Sequence, residues 1–121
     1  MEAKNFNDVF QARTKKFAVK IIHFYIANCK REDELRIIGK QFFRSGTSVA
    51  ANFRAYTRAR SEAERYSKLC IVVEETDETL FWFEILEESG LISNDKLSEI
   101  KQESFELLKV FSSVRSKMKA K

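Results

Sequence analysis

The stretch DELRIIGKQFFRSGTSVAANFRAYTR, residues 33–58, decides the fold class. Within it Leu35, Ile38, Phe42, Ser45, Val49, Asn52 and Tyr56 alternate steps of three and four without a break, which places them on one face of an α-helix. Two of these positions, Ser45 and Asn52, are polar, and Gly46 sits mid-helix at a propensity cost of about 1 kcal/mol relative to Ala. Whatever packs on this face must offset both.

On the C-terminal side, Ser61 followed by Glu64 has the spacing of a capping box, and Gly90 is a good left-handed terminator with Leu91 behind it, so residues 62–89 read as one long helix. It carries apolar residues on more than one face, with Leu69, Val73, Leu80 and Phe83 on one line and Val72, Trp82 and Leu86 on another. On the N-terminal side, Phe6, Phe10, Phe17, Ile21 and Phe24 recur at helical steps and predict a helix over 7–28. Ile22, Tyr25 and Ile26 lie beside that stripe. After Ser93 or Asn94 as cap, Leu97, Ile100, Ser104, Leu107, Phe111, Val114 and Met118 predict a fourth helix over 95–118.

Connections of a few residues cannot carry the chain back along a helix, so the four helices predict an all-α, antiparallel, up-down-up-down four-helix bundle over residues 1–121, a single domain. Composition agrees. Zero Pro and three Gly in 121 residues leave little of the punctuation that hairpins need, and eleven Phe supply core volume. The surplus apolar residues, Ile22 and Tyr25 on the first helix and Trp82 on the third, predict a surface that an identical subunit covers.

The chemistry on offer is narrow. One His and two Cys are too few for a multi-His or Cys-rich metal site or a disulfide framework, so no metal and no cofactor are expected. Glu74, Glu75 and Glu78 lack the Glu-x-x-His partners of a bundle carboxylate site, His23, Cys29 and Cys70 stand in no nucleophile signature, and no Gly-rich phosphate loop is present. An enzyme is not expected. The polar positions suit a structural layer instead, in which Ser45, Ser48 and Asn52 meet Glu75 and Thr79, with Arg44 pairing to a carboxylate of the third helix.

Charge is distributed unevenly. Residues 61–90 hold nine acids and two bases, a segment charge of −7 in a chain of net +4. Lys16 with Lys20, Arg54 with Arg58, and Lys117 with Lys121 each stand four residues apart and so on one face, and Arg60 extends the middle pair. Those seven bases are the candidate polyanion-binding residues. No stretch reaches the ~18 apolar residues of a membrane span, and the start Met1-Glu2-Ala3-Lys4-Asn5 lacks the order of a signal peptide, so no membrane contact and a cytoplasmic location are expected.

The run Arg44-Ser45-Gly46-Thr47-Ser48-Val49-Ala50-Ala51-Asn52-Phe53-Arg54-Ala55, then Ala59-Arg60-Ser61, then Glu74-Glu75-Thr76-Asp77-Glu78-Thr79-Leu80-Phe81-Trp82-Phe83-Glu84-Ile85-Leu86, resembles the bacterial four-helix bundle family, also called the 23S rRNA intervening-sequence protein family. The resemblance is specific over the second and third helices. Where a frequent variant of the family has Asn-Ile-Ala-Glu, this chain has Asn52-Phe53-Arg54-Ala55, with a base and no acid, so any role of that acid does not carry over. The resemblance implies a left-handed bundle, a ring-like homo-oligomer that is often a pentamer, and likeness to accessory proteins of diversity-generating retroelements, which bind RNA and a reverse transcriptase. Two functions follow as expectations: a non-enzymatic self-assembling scaffold for structured RNA or other nucleic acid, or an oligomeric adaptor for a protein partner.

Overall fold

The first and third helices start where a side chain takes over from the missing backbone partner, and the third stops at a glycine. In the computed structural model, which describes residues 5–119, α1 spans Phe6–Asn28, α2 Asp33–Thr57, α3 Glu62–Ser89 and α4 Asn94–Lys119. Asn5 Oδ1 accepts the Asp8 N–H at 2.8 Å to open α1, and Ser61 Oγ accepts the Glu64 N–H at 3.1 Å to open α3. The Glu64 carboxylate reaches back one residue further than a capping box requires, accepting the Arg60 N–H at 3.4 Å. Gly90 ends α3 at φ 72°, a conformation costly for any residue with a Cβ.

Aromatic pairs fix the register. Phe24 meets Phe42 and Phe10 meets Phe53 across α1 and α2, while Phe42 meets Phe83 at 4.4 Å and Ser45 meets Thr79 across α2 and α3. Phe10 meets Phe111 and Lys20 meets Glu99 across α1 and α4. Numbers rise on one helix as they fall on its neighbour, which makes the molecule an antiparallel up-down-up-down four-helix bundle. α1 and α3 therefore stand at diagonal corners, each packed on α2 and α4 and not on one another.

Phe17, Phe42, Phe53, Phe83 and Phe111 are the largest fully buried side chains, each contributing about 1.5–3 kcal/mol by leaving water. Gly46 earns its place on α2 because Ile21 of α1 lies against it: a Cβ there would fall 2.2 Å from Ile21 Cδ1. The seam of α3 draws on both apolar lines expected of it. Leu69, Val72, Val73, Thr76, Thr79, Phe83 and Leu86 are the buried series, so two threonines join five of the expected residues in the seam while Leu80 and Trp82 lie half-buried at its margins. Each threonine hydroxyl is satisfied locally, Thr76 by the Val72 carbonyl and Thr79 by the Glu75 carbonyl, which makes it tolerable in a core.

Ion pairs bridge α1 and α4. Arg13 binds both oxygens of Glu103 at 2.7 Å each, and Lys20 reaches Glu99 at 2.6 Å. The Arg13 guanidinium also lies over the Phe10 ring.

Candidate nucleic-acid interface

Antiparallel topology gathers the start of α1, the end of α2, the start of α3 and the end of α4 at one end of the bundle. Cut at the helix midpoints, residues 5–17, 45–75 and 107–119 carry twelve bases against five acids, whereas 18–44 and 76–106 carry eight against twelve. The bundle is thus charge-polarised along its length, about +7 at one end and −4 at the other by formal count.

Arg54 and Arg58 stand exposed at the last turn of α2, and among the described residues neither has an ion-pair partner. Arg60 extends from the turn with its side chain 91% exposed and its Nε 3.7 Å from Glu64, too long for a hydrogen bond. Lys16 and Lys117 are exposed on the same half of the molecule. Lys20 does not join them: it lies past the midpoint of α1 and its ammonium is engaged by Glu99 of α4. Lys121 lies outside the described residues. Lys15, Lys109 and Arg115 also belong to the basic half and escape the spacing argument, because only the topology brings α1 and α4 to the end of α2.

The polar layer splits in two. Arg44 binds Glu75 at 3.1 Å and Glu78 with its other nitrogen, and Trp82 donates its indole N–H to Glu78 at 3.1 Å. Burial alone would push the Glu78 carboxyl up; the bonds from Trp82 and Arg44 outweigh it and hold it below its ordinary value. Beneath this pair the Ser45 and Thr79 hydroxyls meet at 2.9 Å, both fully buried. Ser48 and Asn52 belong elsewhere. Asn52 Nδ2 donates to the Ser48 carbonyl and Ser48 Oγ within α2, so this half-buried pair supports its own helix and does not bridge to α3. With two carboxylates on it, the Arg44 guanidinium has little left to offer a phosphate. No three of His, Cys, Asp and Glu stand close enough among the described residues to hold a metal ion, and no described helix is long and apolar enough to cross a membrane.

Ile22, Tyr25 and Trp82 are half-buried, with Tyr25 edge-on to Phe43 and Trp82 against Phe81. The more exposed apolar side chains lie one step further around the same helices, at Val19 and Ile26 on α1 and Phe81 on α3.

Four antiparallel helices, a satisfied buried polar pair and a basic end describe a helical-bundle protein. The chain matches the family of 23S rRNA-intervening sequence proteins over residues 7–113, from the first turn of α1 nearly to the end of α4, and belongs to it. A crystal structure from Bacteroides thetaiotaomicron VPI-5482, of a protein with unknown function from the S23 ribosomal protein family, is 31% identical, superposes with a TM-score of 0.81, and is matched over 91% of this chain and 97% of that one. No curated protein matches.

Proposed function

We propose that this protein is a non-enzymatic, self-associating helical scaffold that binds structured RNA or another nucleic acid through the basic end of its bundle. The charge polarity along the molecule carries the reading. A solvated surface needs no segregation of charge, whereas a phosphate backbone is attracted to one end of this bundle and repelled by the other. Arg54, Arg58 and Arg60 form the centre, since guanidinium forks suit phosphate oxygens and project here from a single turn. Lys16 and Lys117, with Lys15 and Arg115, flank them. Contacts of this kind hold the backbone without reading bases, and self-association multiplies them on one folded nucleic acid.

Titration of labelled structured RNA and duplex DNA across a salt series tests this, comparing the wild type with an Arg54→Ala, Arg58→Ala, Arg60→Ala variant. The wild type should bind with a steep salt dependence, and each phosphate contact removed should lower the logarithmic slope by about 0.7–0.9. Equal affinity and slope in the two proteins would refute the assignment of these arginines. Absence of binding at low salt would favour the adaptor reading, in which the acidic surface of α3 meets a protein partner.

A further inference from the structure

α1 and α3 carry opposite charge on surfaces that cannot meet within one chain. Between Asp8 and Glu32 the sequence has six bases and no acid; between Lys68 and Gly90 it has seven acids and no base. Internal ion pairs use part of each set, since Arg13 and Lys20 go to α4, Glu75 and Glu78 to Arg44, and Glu87 to Lys101. The four remaining acids lie on one outward stripe of α3; of the remaining bases Lys15 heads an outward stripe of α1, Lys16 stands beside it, and Lys30 and Arg31 lie in the turn just past its end. Lys15, Val19, Ile22 and Ile26 follow one another at four, three and four residues along α1, and Glu74, Asp77, Phe81, Glu84 and Glu88 at three, four, three and four along α3. Their apolar centres are open to water, with Val19 48%, Ile26 54% and Phe81 47% exposed.

The two stripes also match in height. Phe42 touches both Phe24 of α1 and Phe83 of α3, which sets those residues level on helices running in the same direction. Lys15 is nine residues before Phe24 and Glu74 nine before Phe83; Ile22 and Phe81 are each two before; Lys30, exposed in the turn that follows α1, and Glu88, exposed in the last turn of α3, lie toward the same end of the bundle. A base and an apolar centre on α1, with a further base in the turn past its end, stand opposite acid, Phe, acid on α3.

We propose that the α1 stripe of one copy docks side by side, without axial shift, on the α3 stripe of a second copy. The assignment rests on the self-association proposed above and names its two faces. Because the faces differ, the contact is heterologous and leaves a free stripe at each end of any pair, so it propagates until it closes. Parallel α1 and α3 keep every basic end pointing the same way, which would present the arginines of successive copies along one rim.

Mass by light scattering, with circular dichroism to follow helicity, tests the proposal on exposed positions. A Val19→Glu, Ile26→Glu chain and a Phe81→Lys chain should each be helical single chains, and an equimolar mixture should give a one-to-one heterodimer and nothing larger, since each supplies the stripe the other lacks. Charge exchange provides the second arm. Lys15→Glu with Lys30→Glu, and Glu74→Lys with Glu88→Lys, should each weaken assembly, and all four changes in one chain should restore it. A wild type of single-chain mass overturns self-association itself. A wild type of several chains whose stripe variants keep that mass, or whose mixed variants stay single and whose fourfold exchange fails to restore assembly, overturns only the faces assigned here.

Discussion

Replacing Gly46 by Ala sets two effects of known sign against each other. Ala in a helix interior is favoured over Gly by about 1 kcal/mol, so on an open helix face the change would stabilise. Here the new Cβ would fall 2.2 Å from Ile21 Cδ1 and 3.2 and 3.3 Å from its Cγ2 and Cγ1, where carbon atoms normally rest about 3.5–4.0 Å apart. Ile21 is fully buried and has no solvent to move into. Overpacking of this kind costs about 1–3 kcal/mol, so the net expectation is a loss near 1 kcal/mol and a Tm lower by about 3–5 °C. Ile21→Val removes the atom that clashes and alone costs about 0.5–1.5 kcal/mol. In the double variant the helix gain survives without the clash, so stability should return close to wild type and the two changes should couple favourably by about 1 kcal/mol or more. Thermal and urea melts at one protein concentration measure this, the concentration being held because self-association would shift the midpoint. A Gly46→Ala protein more stable than wild type, or two changes that simply add, would refute the close-approach argument.

Ser104 is fully buried on α4 with no hydrogen-bond partner for its hydroxyl among the described residues, so Ser104→Ala should leave stability unchanged or raise it by up to about 2 kcal/mol in a urea melt. Glu78 is held below its ordinary pKa in the folded chain, so its contribution is present above the unfolded value near 4.5 and is lost as pH falls through the folded one. Arg44→Gln should therefore be less stable than wild type at neutral pH, with the two melting curves converging below pH 4. Burial pushes the Cys29 thiol up to about 11, whereas Cys70 is half-buried, so a thiol reagent at pH 8 should modify Cys70 first and reach Cys29 only as the chain unfolds.

How far the fold can be read depends on which residues line each seam. On α2 Leu35, Phe42, Ser45, Val49 and Tyr56 of the expected series are buried, Ile38 and Asn52 are half-buried, and Phe53 beside the series is buried while Ile37 faces water. The remaining buried members of α2 include Gly39 and Gly46, which hydropathy does not count because their contribution is to let Cys29 and Ile21 come close. α3 is legible only in part. Its two expected lines supply the buried Leu69, Val72, Val73, Phe83 and Leu86 but also the half-buried Leu80 and Trp82, and apolar periodicity passes over Thr76 and Thr79, which sit in the seam. The helix ends were legible because they depend on local chemistry: Ser61 and Gly90 act within one turn of themselves.

Charge behaves differently, since its meaning is set by partners far away in sequence. Lys16 and Lys20 look equivalent at a spacing of four, yet Lys20 is engaged by an acid 79 residues on, and Arg13 by one 90 residues on. No local pattern distinguishes a base spent on the bundle's own seam from one left for a phosphate. Arg54, Arg58 and Arg60 were visible because a single turn brings them together, whereas Arg115 and Lys15 reach the same end only through the antiparallel return of α4 and α1. The acids of α3 show the same division. Glu75, Glu78 and Glu87 neutralise α2 and α4, and the ones left over, flanking Phe81, form a stripe level with the one that Lys15 heads on α1. A bundle that paired all of its charge internally would have neither the basic end nor the matched stripes, so the surplus on each helix carries the information about partners, and the pairs carry the information about the fold.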